Sequence, residues 1–283
     1  MVEHTIVLPG VRTIGVADYG APGATAVLWC HGGPGSRLEP AHVAPEAAAA
    51  GLRIVGIDRP GYGRSTPQPG RTIAGWVPDA LTVADHLGIE RFVTVGVSTG
   101  GAFALAVAAA APARTLGVVA CGAMTDMASD ECRSTMSPAH THAVWDAPDR
   151  DAAIAAAVDA HGEHGEKLSH ITTVLPPSDL ALFRDSERLA AITADMSEMF
   201  AFGNEGYADD RISDGNGWTT FDVGSITCPV IVLHGALDPL VSVAHARHTA
   251  AIVPTARLEL VDELGHFSIF ERVVPAIVEI LDA

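Results

Sequence analysis

Short apolar runs at 26–30, 53–57, 92–97, 116–121, 230–233 and 258–261 alternate with stretches of helical pattern near 40–50, 73–87, 99–111, 243–252 and 268–281. Runs of this length, rich in Val, Ile and Leu and lacking strict polar alternation, read as strands buried on both faces. Strands separated by helices pair in parallel, because each connection must cross back over the sheet, and the helices then cover both sides of it. Two earlier runs, 5–8 and 13–18, are joined by Pro9-Gly10-Val11-Arg12, which suits an antiparallel hairpin. The expectation is an α/β architecture: a mostly parallel, eight-stranded sheet flanked by helices.

The rhythm breaks over 122–222, where strands vanish and Ala, Glu, Met and Asp are punctuated by Pro and Gly. This predicts a helical cap inserted into a core made of 1–121 and 223–283. Trp145, Phe183, Met196, Met199, Phe200 and Phe202 are spaced as a helix face would be and are expected to pack the cap on the core. At 48% hydrophobic and 18% charged residues the chain is globular in composition. Its longest apolar helical stretch, 102–111, is too short and too alanine-rich to cross a bilayer, so no membrane partner is expected. Met1-Val2-Glu3-His4 shows neither a basic start nor a signal-type apolar block, which makes a cytoplasmic location the expectation. A net charge of −17 with a single lysine, Lys167, argues against nucleic acid and against strongly anionic substrates. Cys30, Cys121, Cys132 and Cys228 lack Cys-x-x-Cys spacing and read as free buried thiols.

The chemistry gathers around Gly96-Val97-Ser98-Thr99-Gly100, which ends one apolar run and opens an alanine-rich helical stretch. Gly-x-Ser-x-Gly alone is a weak signal; between a strand and a helix it reads as a sharp turn that exposes the Ser98 hydroxyl. Serine needs a base, and the base needs an orienting acid. His266, in Gly265-His266-Phe267 after the last apolar run, and Asp238, after the run before it, occupy matching carboxyl-end positions. Asp126, shortly after the run ending at Cys121, is a rival acid on the same argument. His31-Gly32-Gly33-Pro34-Gly35-Ser36 follows another buried run, so an oxyanion hole is expected from the backbone amides of Gly33 and Thr99, with His31 bracing the loop. His161-Gly162-Glu163-His164-Gly165-Glu166 offers possible metal ligands, but its glycines weaken an aligning helix and a solvated segment is the preferred reading; no metal and no cofactor are expected.

With strand pattern, serine turn, His-Gly-Gly-Pro-Gly loop, late Asp and late His in register, the chain resembles the α/β-hydrolase superfamily over nearly its whole length. Asp58-Arg59-Pro60-Gly61-Tyr62-Gly63-Arg64-Ser65 matches a loop that in many members shapes the pocket wall without doing chemistry, which the resemblance implies for Asp58 and Arg59. The 31–36 loop resembles that of the proline iminopeptidase branch, whose members usually carry tryptophan where Thr99 follows the serine here. Dehalogenase and epoxide hydrolase relatives carry aspartate in place of Ser98. Carboxylesterases, carbon-carbon bond hydrolases and cofactor-free perhydrolases share the Ser, Asp and His set. The resemblance therefore implies a serine hydrolase acting on a small, uncharged or modestly apolar ester through an acyl-enzyme. An iminopeptidase, the other two hydrolase chemistries and a capped ligand-binding receptor remain as alternatives.

Overall fold

The six apolar runs singled out in the sequence, and the two before them, extend and pair. In the computed structural model, which describes residues 1–136 and 139–283, the strands are β1 (Val2–Val7), β2 (Thr13–Tyr19), β3 (Thr25–Cys30), β4 (Leu52–Ile57), β5 (Phe92–Val97), β6 (Thr115–Cys121), β7 (Val230–Gly235) and β8 (Ala256–Val261). They form one sheet in the order β1-β2-β4-β3-β5-β6-β7-β8. The β1 hairpin partner β2 also meets β4 antiparallel, and every pair from β4 onward is parallel, as the alternation predicts. Helices α1 (Ala44–Ala49), α2 (Val77–His86) and α3 (Gly100–Ala110) connect the first strands. After β6 come α4 (Asp130–Ser134), α5 (Ala139–Trp145), α6 (Arg150–His161), α7 (Pro177–Leu182), α8 (Ser186–Met199) and α9 (Glu205–Asp214), with no strand among the described residues of this stretch. The chain then returns through β7, α10 (Val243–Ile252), β8 and α11 (Val273–Asp282).

Side chains alternate across the sheet into two cores. Leu28, Cys30, Val55 and Phe92 pack with Ala80, Val83, Phe103 and Ala246 of α2, α3 and α10. Val27, Trp29, Val93 and Val95 pack on the other face with Ala47, Val273 and Ile277 of α1 and α11. Chain order runs from β3 to β4 on one side and to β5 on the other, so the connections diverge at the carboxyl ends of β3 and β5. A crevice opens at such a reversal, and ligands of α/β sheets bind there. The 31–36 loop and the Ser98 turn both leave from it.

Three expected helices start later than their sequence patterns. Turns of 3-10 helix at Glu39–His42, Ala74–Trp76 and Ser268–Arg272 precede α1, α2 and α11. Pro45, Pro78 and Pro275 sit within the first α turn of each, where the missing N–H is harmless but a continuing upstream α-helix would be interrupted. The strands β1 and β8 are longer than their apolar runs because edge ladders continue through polar residues, pairing Glu3 with Ala17, His4 with Val16 and Arg257 with Ile231. Of the apolar residues picked out between β6 and β7, Phe200 is buried, Trp145, Phe183, Met196 and Met199 are half-buried, and Phe202 is 40% exposed.

The serine turn depends on Gly100. A Cβ there would overlap the Cys30 and His31 carbonyls at the end of β3. Gly100→Ala therefore forces strand and helix apart, and an equilibrium denaturation curve is expected to show a loss of about 3 kcal/mol.

Candidate active site

Ser98 joins β5 to α3 with φ at 51°, a left-handed conformation shared by one other described non-glycine residue, Val11. Such a backbone is held only when its surroundings over-determine it. The Ser98 amide donates to the Cys121 carbonyl at 3.0 Å, and its carbonyl accepts from the amides of Met124 and Gly101 at 3.1 Å each. The turn is thus bolted to the end of β6, with its side chain half-buried and making no hydrogen bond among the described residues.

Beyond β7 and β8 the loops bring Asp238 and His266 together, with Asp238 Oδ2 at 2.6 Å from His266 Nδ1. The other carboxylate oxygen accepts from the amides of Leu240 and Val241 at 2.8 and 2.9 Å, so Oδ2 is left to the imidazole. An ionised carboxylate only accepts, which places the proton on Nδ1 and leaves Nε2 with a free lone pair. Burial opposes both charges, yet each group stabilises the other: Asp238 is held below the usual carboxylate range chiefly by His266, and His266 above the usual imidazole range chiefly by Asp238. Both reach Gly122, the residue after the Cys121 that anchors Ser98; a methyl on Gly122 would lie 3.4 Å from His266 Nδ1 and 3.7 Å from Asp238 Oδ2. The structure brings Ser98, Asp238 and His266 to one crevice and joins the last two directly.

On the β3 side, a methyl on Gly32 would lie 3.7 Å from Ser98 Cβ, and one on Gly33 would lie 2.7 Å from Thr99 Oγ1. The amides of Gly33 and Thr99 donate to nothing among the described residues, so two adjacent N–H groups stand free beside the serine. His31 is buried beneath them. Its Nε2 accepts from the Arg59 amide at 3.1 Å, and its Nδ1 lies 2.6 Å from the Gly32 carbonyl, which fixes the Nδ1–H tautomer. Burial and the neighbouring Arg59 hold its pKa well below the usual range, so His31 braces the loop as a neutral ring.

Several residues were not legible as parts of this site. Asp179 of α7 accepts from the amides of His266, Phe267 and Ser268 at 3.0, 3.2 and 2.8 Å and from the Ser268 hydroxyl at 2.6 Å, so a buried carboxylate holds the segment carrying His266. In sequence it reads only as an acid in the first turn of a helix. Glu39 accepts from Trp29 Nε1 at 2.6 Å and from the Gly32 amide at 2.9 Å, and burial pushes its carboxyl up to about 7. Arg211 of α9 donates to Thr99 Oγ1 at 2.5 Å and pairs with Asp214 at 2.6 Å. Arg59 departs from the pocket-wall role: its side chain is fully buried, donates to the carbonyls of His31 and Gly32, and is paired with Asp210. Asp126 is engaged elsewhere, accepting from the amides of Ala128 and Trp218 at 2.9 Å each. In the 161–166 segment, Glu166 accepts from the Glu163 and His164 amides and His161 contacts Asn204; no group of three or more metal-ligating side chains is arranged to hold an ion among the described residues.

Residues 25–150 match a sequence family described as having the alpha/beta hydrolase fold. A poly(3-hydroxyalkanoate) depolymerase from Ectopseudomonas oleovorans is 28% identical over 267 residues, 93% of this chain and 86% of that protein. The solved enol-lactonase from Burkholderia xenovorans LB400 superposes with a TM-score of 0.74 at 20% identity, covering 99% of this chain and all of that one. A thermophilic esterase from Thermogutta terrifontis gives 0.72 at 23% identity, covering all of this chain and 98% of that one. At these identities the two solved structures establish the shared fold.

Proposed function

We propose that this chain, a member of the α/β-hydrolase superfamily, is a serine hydrolase that cleaves a small carboxylic ester or lactone through an acyl-enzyme. The observation that supports this reading is the left-handed Ser98 turn, in the same crevice as an imidazole bound to a carboxylate. In the proposed cycle His266 Nε2 takes the Ser98 proton as Oγ attacks the acyl carbon, and the amides of Gly33 and Thr99 receive the charge that develops on the carbonyl oxygen. His266 then gives its proton to the departing alkoxide, takes one from the water that attacks the acyl-enzyme, and returns it to Ser98 Oγ as the acid leaves. Asp238 keeps the ring oriented and stabilises the imidazolium. Residues 1–121 and 223–283 would form the catalytic core, and 122–222 the cap that sets substrate shape. The partner would be a small-molecule substrate, and a reducing, cytoplasmic setting fits the four buried cysteines, none in a disulfide. Among the described residues no helix is long and apolar enough to cross a membrane.

Of the three proteins compared above, one is named a depolymerase of a poly(3-hydroxyalkanoate), one a lactonase and one an esterase, which supports an ester substrate. A fluorophosphonate probe followed by a panel of short acyl esters, lactones and prolyl amides tests the reading. Labelling with turnover of esters above amides is the expected result; labelling with faster prolyl amide turnover would replace it with the iminopeptidase reading. The same panel gives a pH profile. His266 must be neutral to accept a proton and its pKa is raised, so kcat/KM should fall about tenfold per pH unit below a midpoint above roughly 6.5. A midpoint well under that value would mean another group supplies the base.

A further inference from the structure

We propose that Arg59 is a positioning residue for the oxyanion hole: its guanidinium fixes the Gly32–Gly33 peptide so that the Gly33 N–H faces the acyl group at Ser98, and Asp210 of α9 sets the guanidinium. This rests on the assignment of Gly33 and Thr99 as the hole in the reading above.

Arg59 lies on the loop after β4 and is wholly buried. Its Nη1 donates to the His31 carbonyl and its Nη2 to the Gly32 carbonyl at 2.7 Å, so one planar fork straddles two successive peptide oxygens. The Gly32 oxygen also takes the His31 Nδ1–H. The one cis peptide among the described residues is Gly33–Pro34, so the Gly32–Gly33 unit is trans and its C=O and N–H point in opposite directions. Two donors on the oxygen therefore determine where the Gly33 hydrogen points. They also polarise the amide, which makes that N–H a stronger donor.

The rest of the fork is held from α9. Asp210 Oδ2 receives Arg59 Nε at 3.1 Å and Nη2 at 2.8 Å, while Arg71 Nη2 at 2.6 Å and the Tyr62 hydroxyl at 2.8 Å hold the same carboxylate. Burial would raise the Asp210 pKa, but Arg59 and Arg71 keep it below the usual range, so it is a fixed anion. The next residue, Arg211, grips Thr99 through Oγ1. Consecutive side chains of one helix thus bear on both sides of the hole, Arg211 directly through Thr99 and Asp210 through Arg59 and the Gly32 carbonyl. Lysine could not replace this arrangement, because a point charge cannot serve two carbonyls and a carboxylate in one plane.

The test is Arg59→Lys, with rates expressed per Ser98 site labelled at saturation by fluorophosphonate. Expected is a fall in kcat on the order of 10- to 100-fold with KM within about threefold, less than the roughly 10²- to 10³-fold of deleting a hole donor. Affinity for a trifluoromethyl ketone, whose adduct oxygen occupies the hole, should fall by the same factor, while an unreactive alcohol of the same shape binds as before. Arg53→Lys is the control: it makes the same swap in the buried, doubly bonded Arg53–Asp18 pair near the start of β4, far from the crevice, and should leave both readouts unchanged. If Arg59→Lys does not fold, Asp210→Glu keeps both charges and displaces the guanidinium, and the same outcomes apply. A kcat per labelled site within threefold of the parent, or a lost kcat with unchanged ketone affinity, overturns the inference alone. A parent protein with neither labelling nor ester turnover overturns the hydrolase reading and this inference together.

Discussion

Ser98→Ala is expected to fold as the parent does and to lose about 10⁶-fold in kcat on the best ester of the panel, with fluorophosphonate labelling abolished. The size of the loss follows from the division of labour. Without Oγ, the imidazole has no hydroxyl to activate and only the amides of Gly33 and Thr99 still act on a bound ester. The expectation of an intact fold has its own basis: the Ser98 side chain makes no hydrogen bond among the described residues, and the bonds that tie the turn to Cys121 and Met124 are all backbone bonds. Stability should therefore stay within about 0.5 kcal/mol. A mutant retaining more than a thousandth of the parent rate, free of contaminating esterase, would remove Ser98 as the nucleophile.

Asp238→Asn should cost about 10⁴-fold in kcat, because the two residues differ in which protons they allow. Asparagine Oδ1 can still accept from Leu240 and Val241, which turns the amide NH₂ toward His266 Nδ1, where a carboxylate oxygen now sits at 2.6 Å. The imidazole must then accept at Nδ1 and carry its proton on Nε2, facing the serine with no lone pair to offer. The acidic limb of the pH profile should also move down, since Asp238 is the main influence raising His266. Retention of a tenth of the parent rate would reassign the orienting acid.

What could be read from the chain before its structure divides by distance in sequence. The strand pattern and the Ser98 turn are written in contiguous residues whose spacing has few physical solutions. Asp238 and His266 were reachable because parallel strands present their carboxyl ends on one edge, so a position after β7 and one after β8 must be neighbours. The roles of Arg59 and Asp179 were not reachable. Their partners lie 151 and 87 residues away in chain position, and each has an innocent local reading, as a loop arginine and as a helix-start acid. The 122–222 stretch announced helices, but not which of them would carry charge into the core. An acidic, weakly amphipathic sequence such as Tyr207-Ala208-Asp209-Asp210-Arg211 reads as a solvated face, whereas all five residues are buried. Their apolar deficit is made up by ion pairs that only the fold reveals.

That burial decides how substrate and product can come and go. Lifting α9 would part Asp210 from Arg59 and Arg71, and breaking one buried pair of this kind costs about 3–5 kcal/mol. A state about 4 kcal/mol uphill holds roughly one molecule in a thousand, so α9 stays seated in nearly all of them. The α9 side of the crevice is therefore a fixed wall. In the proposed hydrolase, substrate would pass beside the other helices of the 122–222 stretch, so bulk added there should change the rate of exchange, whereas bulk added beneath α9 should lower stability.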